Sequence, residues 1–261
     1  MLRVMLQRFA LTMGFITILT NVSAQSPSYL KLTPDNVHQV TAVRQFGYGA
    51  ISDIAFSPDG SYFAVGASTG VVLYDTDNFS EEPRFFEGGS GNIAFSPDSS
   101  LLAARNHVWN VATGELLYPF DGYSPAFSSD GKHLLYASGQ EIISQDMETG
   151  QETLRQTIGE DIYEIHLNTD DVTVAIDIPG DLILWSLETG KQTVALETPQ
   201  YPTIFSGETV FSPDGTLLLH AGFDGYVLWE VATGKIERFA DSWGNPSLDA
   251  AAFSQIGRAH V

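Results

Sequence analysis

The chain has 261 residues, of which 43% are hydrophobic and 17% are charged, and it contains no cysteine. Twelve basic residues against 32 acidic ones give a formal net charge of −20 at pH 7. A field of this sign repels nucleic acid and anionic membrane surfaces. A sequence without cysteine excludes disulfides, a thiol nucleophile and a thiolate metal site.

Residues 1–24 have the pattern of a secretory signal peptide. Arg3 and Arg8 are their only charges, residues 9–19 are apolar, and small residues at 22–24 offer a cleavage site before Gln25. The apolar run is shorter than the roughly 20 residues that span a bilayer, so we expect no stable membrane insertion after cleavage. The sequence thus predicts a periplasmic or extracellular protein, and an uncleaved anchor is the alternative.

Two short segments follow the signal peptide. Residues 25–36 are a polar lead-in, and residues 37–46 (VHQVTAVRQF) alternate apolar and polar side chains, which is typical of a strand. This strand stands apart from the turn motifs that begin after it.

A turn motif then recurs five times, as FSPDG (56–60), FSPDS (95–99), FSSDG (127–131), LNTDD (167–171) and FSPDG (211–215). Proline pre-sets φ at the second turn position, and glycine supplies a positive φ. One aspartate recurs in four of the copies, which indicates that this residue is part of the turn. These aspartates are Asp59, Asp98, Asp130 and Asp214.

A second anchor falls three predicted strands later in each copy. The anchors are Tyr74, Trp109, Gln145, Trp185 and Trp229. Four of the five are followed by Thr-Gly, which indicates a hairpin with glycine in the left-handed position. A period near 40 residues with several short strands per copy is typical of a β-propeller, because one such unit cannot bury both its faces alone.

The combination resembles the WD-repeat family over about residues 37–254. The resemblance implies an all-β propeller of four-stranded antiparallel blades, with five complete blades and the start of a sixth. The blades are predicted at about 51–87, 91–120, 123–157, 162–197 and 208–240, with a partial one at 248–255. In this family a strand such as 37–46 commonly completes the last blade as its outer strand and joins the ends of the ring.

Departures from the family pattern limit what can be carried over. No literal Trp-Asp occurs, and no Gly-His precedes a first strand, so the family's buried His-Asp-Ser-Trp network is not expected. An unrelated antiparallel barrel or sandwich is the alternative fold.

The last predicted repeat breaks off at its turn. It reads AAFSQ and then IGRAHV (256–261), a tail whose codons would resemble a common sequencing adapter. We therefore expect a truncated chain with a non-native tail and an incomplete ring. A genuine C-terminus is the alternative.

No catalytic or cofactor-binding motif emerges. Residues 66–70 (GASTG) match the serine-hydrolase pattern but lie in a predicted strand hairpin, not a strand-to-helix elbow. The histidines have no metal-ligand spacing and are expected to be satisfied structural residues: His38, His107, His133, His166, His220 and His260. We therefore predict no metal, no cofactor and no catalysis, although a weak cation site between acidic loops stays open.

The remaining candidate site is the rim where the loops between blades and the turns between second and third strands should meet. Aromatic side chains flanked by polar ones are good contact anchors. The predicted rim residues are Tyr48, Asp121, Tyr123, Asp161, Tyr201, Phe223, Asp224 and Trp243. The first hypothesis is an exported, non-catalytic scaffold for protein–protein interaction, whose partner has a basic patch. The alternative is a propeller enzyme or a carbohydrate- or small-ligand-binding protein acting at the channel mouth, which requires converging polar and acidic side chains there. The alternative for the rim aromatics is that they only pack against neighbouring blades.

Overall fold

The computed structural model describes residues 48–197, 207–222, 225–241, 252–253 and 259–260. The signal sequence, the lead-in and the strand predicted at 37–46 lie outside the described residues. All described sheets belong to the unit that spans Ala50–Val261.

Five four-stranded antiparallel sheets follow one another along the chain, each with its strands in sequence order. Blade one consists of β1 (Ile51–Phe56), β2 (Tyr62–Ala67), β3 (Gly70–Asp75) and β4 (Arg84–Glu87). Blade two consists of β5 (Ile93–Phe95), β6 (Leu101–Ala104), β7 (His107–Asn110) and β8 (Leu116–Pro119). Blade three consists of β9 (Tyr123–Phe127), β10 (His133–Ser138), β11 (Glu141–Asp146) and β12 (Glu152–Thr157).

The last two blades repeat this plan. Blade four consists of β13 (Glu164–Leu167), β14 (Thr173–Ile178), β15 (Asp181–Ser186) and β16 (Lys191–Gln192). Blade five consists of β17 (Gly207–Phe211), β18 (Leu217–Gly222), β19 (Gly225–Glu230) and β20 (Ile236–Asp241). A two-residue pair follows, in which β21 (Ala252–Phe253) lies antiparallel to β22 (Ala259–His260).

The five blades form a ring around a channel. Their first strands contact one another in the order β1, β5, β9, β13 and β17. Residues at or beside all five of these strands line one central cavity of about 540 Å³. The predicted all-β propeller is confirmed. The described residues include no helix, and hence none long and apolar enough to cross a membrane.

The apolar core is divided into clusters that each lie between two successive blades. Leu73 and Leu102 meet between blades one and two, and Leu184 and Leu218 meet between blades four and five. Similar clusters join blades two and three and blades three and four. Each blade is therefore stabilised mainly by its neighbours, as expected for a repeat architecture.

The third-strand aromatic residues reach from one blade to the one before it. Trp109 stacks on Phe86 of blade one with ring centroids 5.5 Å apart. Trp185 Nε1 donates a hydrogen bond to Gln156 Oε1 of blade three at 2.7 Å. Trp229 Nε1 donates to the carbonyl oxygen of Glu197 at 2.9 Å. Tyr74, in blade one, contacts Phe63 and Phe79 of its own blade.

The repeated aspartates organise the turns between first and second strands. In the last copy the Ser212 hydroxyl donates to Asp214 Oδ1 at 2.6 Å, and the backbone N–H of Thr216 donates to the same oxygen. Asp59, Asp98 and Asp130 make the same pair of bonds in their own turns. Gly215 ends the turn at φ +70°, where a side chain would be strained.

The location of the core between blades predicts how shortening one buried side chain should change the free energy of unfolding. Leu102 has no exposed surface, whereas Leu116 in the same blade is 48% exposed. We expect Leu102→Ala to lower the free energy of unfolding by about 2–5 kcal/mol, because it leaves a cavity between two blades. Leu116→Ala should change it by less than about 0.5 kcal/mol. Urea unfolding measures both, and equal losses would contradict the assignment of the core.

Candidate functional site

The turns between second and third strands share one rim with the connections between blades, which we call the upper rim. The backbone N–H of Gly122 donates to Asn106 Oδ1 at 3.1 Å, and that of Ile162 donates to the carbonyl oxygen of Gly139 at 3.0 Å. These two bonds join the turns after β6 and β10 to the segments that enter blades three and four. The blades therefore hold the rim loops in fixed positions.

Four of the predicted rim residues are described, and they differ in what they can do. Asp121 and Asp161 are exposed, and Tyr48 is half-buried. Tyr123 is also half-buried, and its hydroxyl donates to the carbonyl oxygen of Ile162 at 2.6 Å. This bond links blade three to the segment entering blade four, so Tyr123 has a packing role. Tyr201, Phe223, Asp224 and Trp243 lie outside the described residues.

A cavity of about 520 Å³ opens between the upper rim and the channel, and we call it the rim cavity. Arg105 lies over the ring of Tyr123, with Cζ 5.9 Å from the ring centroid. Tyr163 lines the same cavity and is 58% exposed, so its ring is available for contact. Three carboxylates line the cavity, the partly buried Glu164 and Asp177 and the exposed Asp181.

Three ionisable side chains of blade four meet where this cavity joins the channel. His166 Nε2 lies 3.5 Å from Glu164 Oε2 and 3.4 Å from Asp177 Oδ2. Glu164 and His166 are two apart on β13 and therefore share a face, and Glu164 lies directly opposite Asp177 on β14. Two like charges in that position repel each other, so the arrangement calls for a positive charge between them.

The two carboxylates determine the charge of the histidine. Burial lowers the pKa of His166, but Asp177 and Glu164 outweigh that effect and raise it to about 9. Burial raises the pKa of Glu164, but His166 and Asn92 outweigh it and bring the net pKa below its usual value. Asn92 Nδ2 donates to Glu164 Oε1 at 2.9 Å from blade two. The imidazolium therefore neutralises part of the acidic cluster near neutral pH.

A second histidine lies beside this cluster, on blade five. His220 is only 3% exposed, and burial lowers its pKa, so the ring is neutral. Thr209 Oγ1 lies 2.7 Å from His220 Nδ1 and donates a hydrogen bond to Asp177 Oδ2 at 3.3 Å. Because the hydroxyl proton is directed to Asp177, the threonine oxygen accepts from Nδ1–H, and Nε2 keeps a lone pair.

The expectation of satisfied histidines is wrong for His133 and His220, because His133 Nδ1 and His220 Nε2 are buried without a hydrogen-bond partner. His166 Nε2 also lacks a hydrogen bond, but it is paired with Glu164 and Asp177. Within the described part of the chain, Glu164, His166 and Asp177 are the one group of three side chains placed to hold a metal ion. Ser68 lies in the turn between β2 and β3, and its hydroxyl accepts from the backbone N–H of Ala50.

Sequence reasoning missed this cluster and Tyr163. Glu164 and His166 have the period of two that puts side chains on one face of a strand, and that pattern could have identified them. No local pattern adds Asp177 or His220, because the register of β13 with β14 and the packing of blade five bring them there.

The raised pKa of His166 predicts a pH dependence of stability. Because the pKa in the folded state, about 9, exceeds the unfolded value of about 6.5, the ion pairs contribute fully below pH 6.5. That contribution is lost as pH rises through 9. We expect the wild-type free energy of unfolding, measured in urea with a chelator present, to fall by up to ~3 kcal/mol more than that of His166→Gln between pH 6.5 and 9.5. Parallel pH profiles of the two proteins would contradict the charge assigned to His166.

Comparison with known families and proteins completes the assignment. The family model described as "WD domain, G-beta repeat" (WD40) matches residues 40–75. A comparison with curated proteins gives no match. The matched segment includes the first three strands of blade one, and four further blades repeat that plan around the channel. The structure is therefore a five-bladed β-propeller, and the match at residues 40–75 supports the WD-repeat type of propeller.

Proposed function

We propose that this protein is an exported, non-catalytic scaffold that binds a protein partner through its upper rim. WD40 propellers commonly mediate protein–protein interaction. The observation that carries the proposal for this chain is Tyr163, a largely exposed aromatic side chain at the mouth of the rim cavity. Exposed tyrosines at the edge of a concave surface are frequent binding hot spots.

The charge of the rim indicates the kind of partner. Asp121 and Asp161 are exposed on it, and Asp181 lines the rim cavity. Among the described residues that line this cavity, Arg105 is the one lysine or arginine. Together with a net charge of −20, this arrangement favours a partner with a basic patch and a binding rate that falls with ionic strength.

A peptide selection tests the proposed interface. Random peptides displayed on phage are selected on the purified chain, and the affinities of the selected peptides are measured by calorimetry. We expect the selected peptides to be rich in lysine or arginine. We expect Tyr163→Ala to weaken their binding at least about 10-fold. Phe79→Ala is the matched control, because Phe79 is 43% exposed and lies beyond β3, at the opposite rim.

Two outcomes would contradict this interface. Equal losses in Tyr163→Ala and Phe79→Ala would show that the upper rim is not the contact surface. Affinity that is insensitive to salt would remove the electrostatic part of the proposal. Tyr123→Phe provides a second comparison, since losing its bond to Ile162 should lower stability while leaving peptide affinity intact.

A second candidate function is small-ligand or carbohydrate binding at the channel mouth. It is favoured by the convergence of Asp53, Glu164, His166 and Glu208 on the central cavity. Burial raises the pKa of Asp53, and its carboxylate accepts hydrogen bonds from the backbone N–H groups of Ile54 and Ile93. A glycan array distinguishes the candidates, since ligands lost in Glu164→Gln but kept in Tyr163→Ala would support this second function.

Export is the remaining part of the proposal. It rests on residues 1–24, and their removal would leave 10 basic against 32 acidic residues, a net charge of −22. Expression in a bacterial host, followed by N-terminal sequencing of the extracytoplasmic fraction, tests it. We expect the mature chain to begin at Gln25. Chain retained in the cytoplasm with Met1 intact would contradict it.

A further inference from the structure

We propose that Glu164, His166 and Asp177 bind one divalent transition-metal ion, best matched by Zn²⁺. The inference goes beyond partner binding and does not depend on it. It concerns the point where the rim cavity meets the channel, between blades four and five.

The donor spacing fits the ion. Ligand atoms about 2.1 Å from a tetrahedral Zn²⁺ lie about 3.4 Å from one another. His166 Nε2 is 3.4 Å from Asp177 Oδ2 and 3.5 Å from Glu164 Oε2, and all three donor atoms lie within 4.8 Å of one another. None of these contacts is a short hydrogen bond, so an ion can replace the proton on His166 without breaking one.

His220 is an independent indication of a ligand. Only 3% of its surface is exposed, and it lines the same cavity as Glu164 and Asp177. Its Nε2 has no hydrogen-bond partner. A buried nitrogen without a partner is costly in a β-rich core. Thr209 Oγ1 contacts the opposite nitrogen, Nδ1, at 2.7 Å, so that nitrogen already has a partner.

The surrounding residues have the arrangement that orients metal ligands in other proteins. Asn92 holds Glu164 Oε1 at 2.9 Å, which leaves Oε2 for the ion. Thr209 donates to Asp177 Oδ2, so the same hydroxyl positions a carboxylate and an imidazole. One imidazole and two carboxylates suit Zn²⁺ and its neighbours, whereas Ca²⁺ and Mg²⁺ prefer oxygen alone.

Metal titration of the full chain, purified without a histidine tag and stripped by a chelator, tests the site. Co²⁺ is followed by its visible absorption, and Zn²⁺ is followed by competition with a chromophoric chelator. We expect one ion per chain, with Zn²⁺ bound more tightly than Ca²⁺ or Mg²⁺. His166→Gln should weaken Zn²⁺ binding at least about 100-fold.

His133→Gln is the matched control. His133 is also a strand histidine with a buried nitrogen lacking a partner, but it lines a different cavity, with Asp130 and Asp171. Its Zn²⁺ affinity should equal that of the wild type. An equal loss in His133→Gln and His166→Gln, or no stoichiometric Co²⁺ or Zn²⁺ binding by the wild type, would overturn the proposal.

A second measurement takes its main result from the wild type and so does not require that a variant folds. Saturating Zn²⁺ should raise the thermal midpoint of the wild type, because a ligand that binds only the folded state stabilises it. The midpoint of a folded His166→Gln chain should not respond. An unchanged wild-type midpoint at Zn²⁺ concentrations that saturate the Co²⁺ signal would place the ion outside the folded site and overturn the assignment.

Discussion

The packing of each blade against its neighbours is the interaction on which the rest of this structure depends. A single four-stranded sheet of this size leaves both faces exposed, and the described core clusters lie between successive blades. The third-strand tryptophans strengthen these interfaces through a ring stack at Trp109 and through N–H hydrogen bonds at Trp185 and Trp229. The positions of the described rim loops follow from this stacking, because each of them connects two fixed strands.

The same stacking places polar side chains where they would not otherwise meet. Residues at or beside the five first strands line a shared cavity. Glu164 and Asp177 lie opposite each other beside it, and their repulsion is relieved by the charge on His166. Ionisable groups with shifted pKa values that converge on a cavity are typical of functional sites.

The rim and the channel offer different chemistry to different ligands. The rim cavity presents the broad exposed ring of Tyr163 and scattered carboxylates, which suits a large basic partner. The deeper cluster presents closely spaced nitrogen and oxygen donors, which suits a single ion. The two adjoin through Glu164, Asp177 and His220, which line the rim cavity, so occupancy of one site changes the charge that the other presents.

The sequence by itself determined the repeated elements of the fold, because their signals are local. Ser-Pro-Asp-Gly specifies a turn through the φ preferences of its own residues, and the aromatic anchor after it marks the third strand. The tertiary structure alone decided the site. Asp177 meets His166 through the register of two strands, and His220 comes from the next blade. Tyr123 is held by the hydrogen bond from its hydroxyl to the carbonyl oxygen of Ile162, in the segment that enters blade four. These relations depend on how sheets are stacked in space, and no pattern along one strand encodes them.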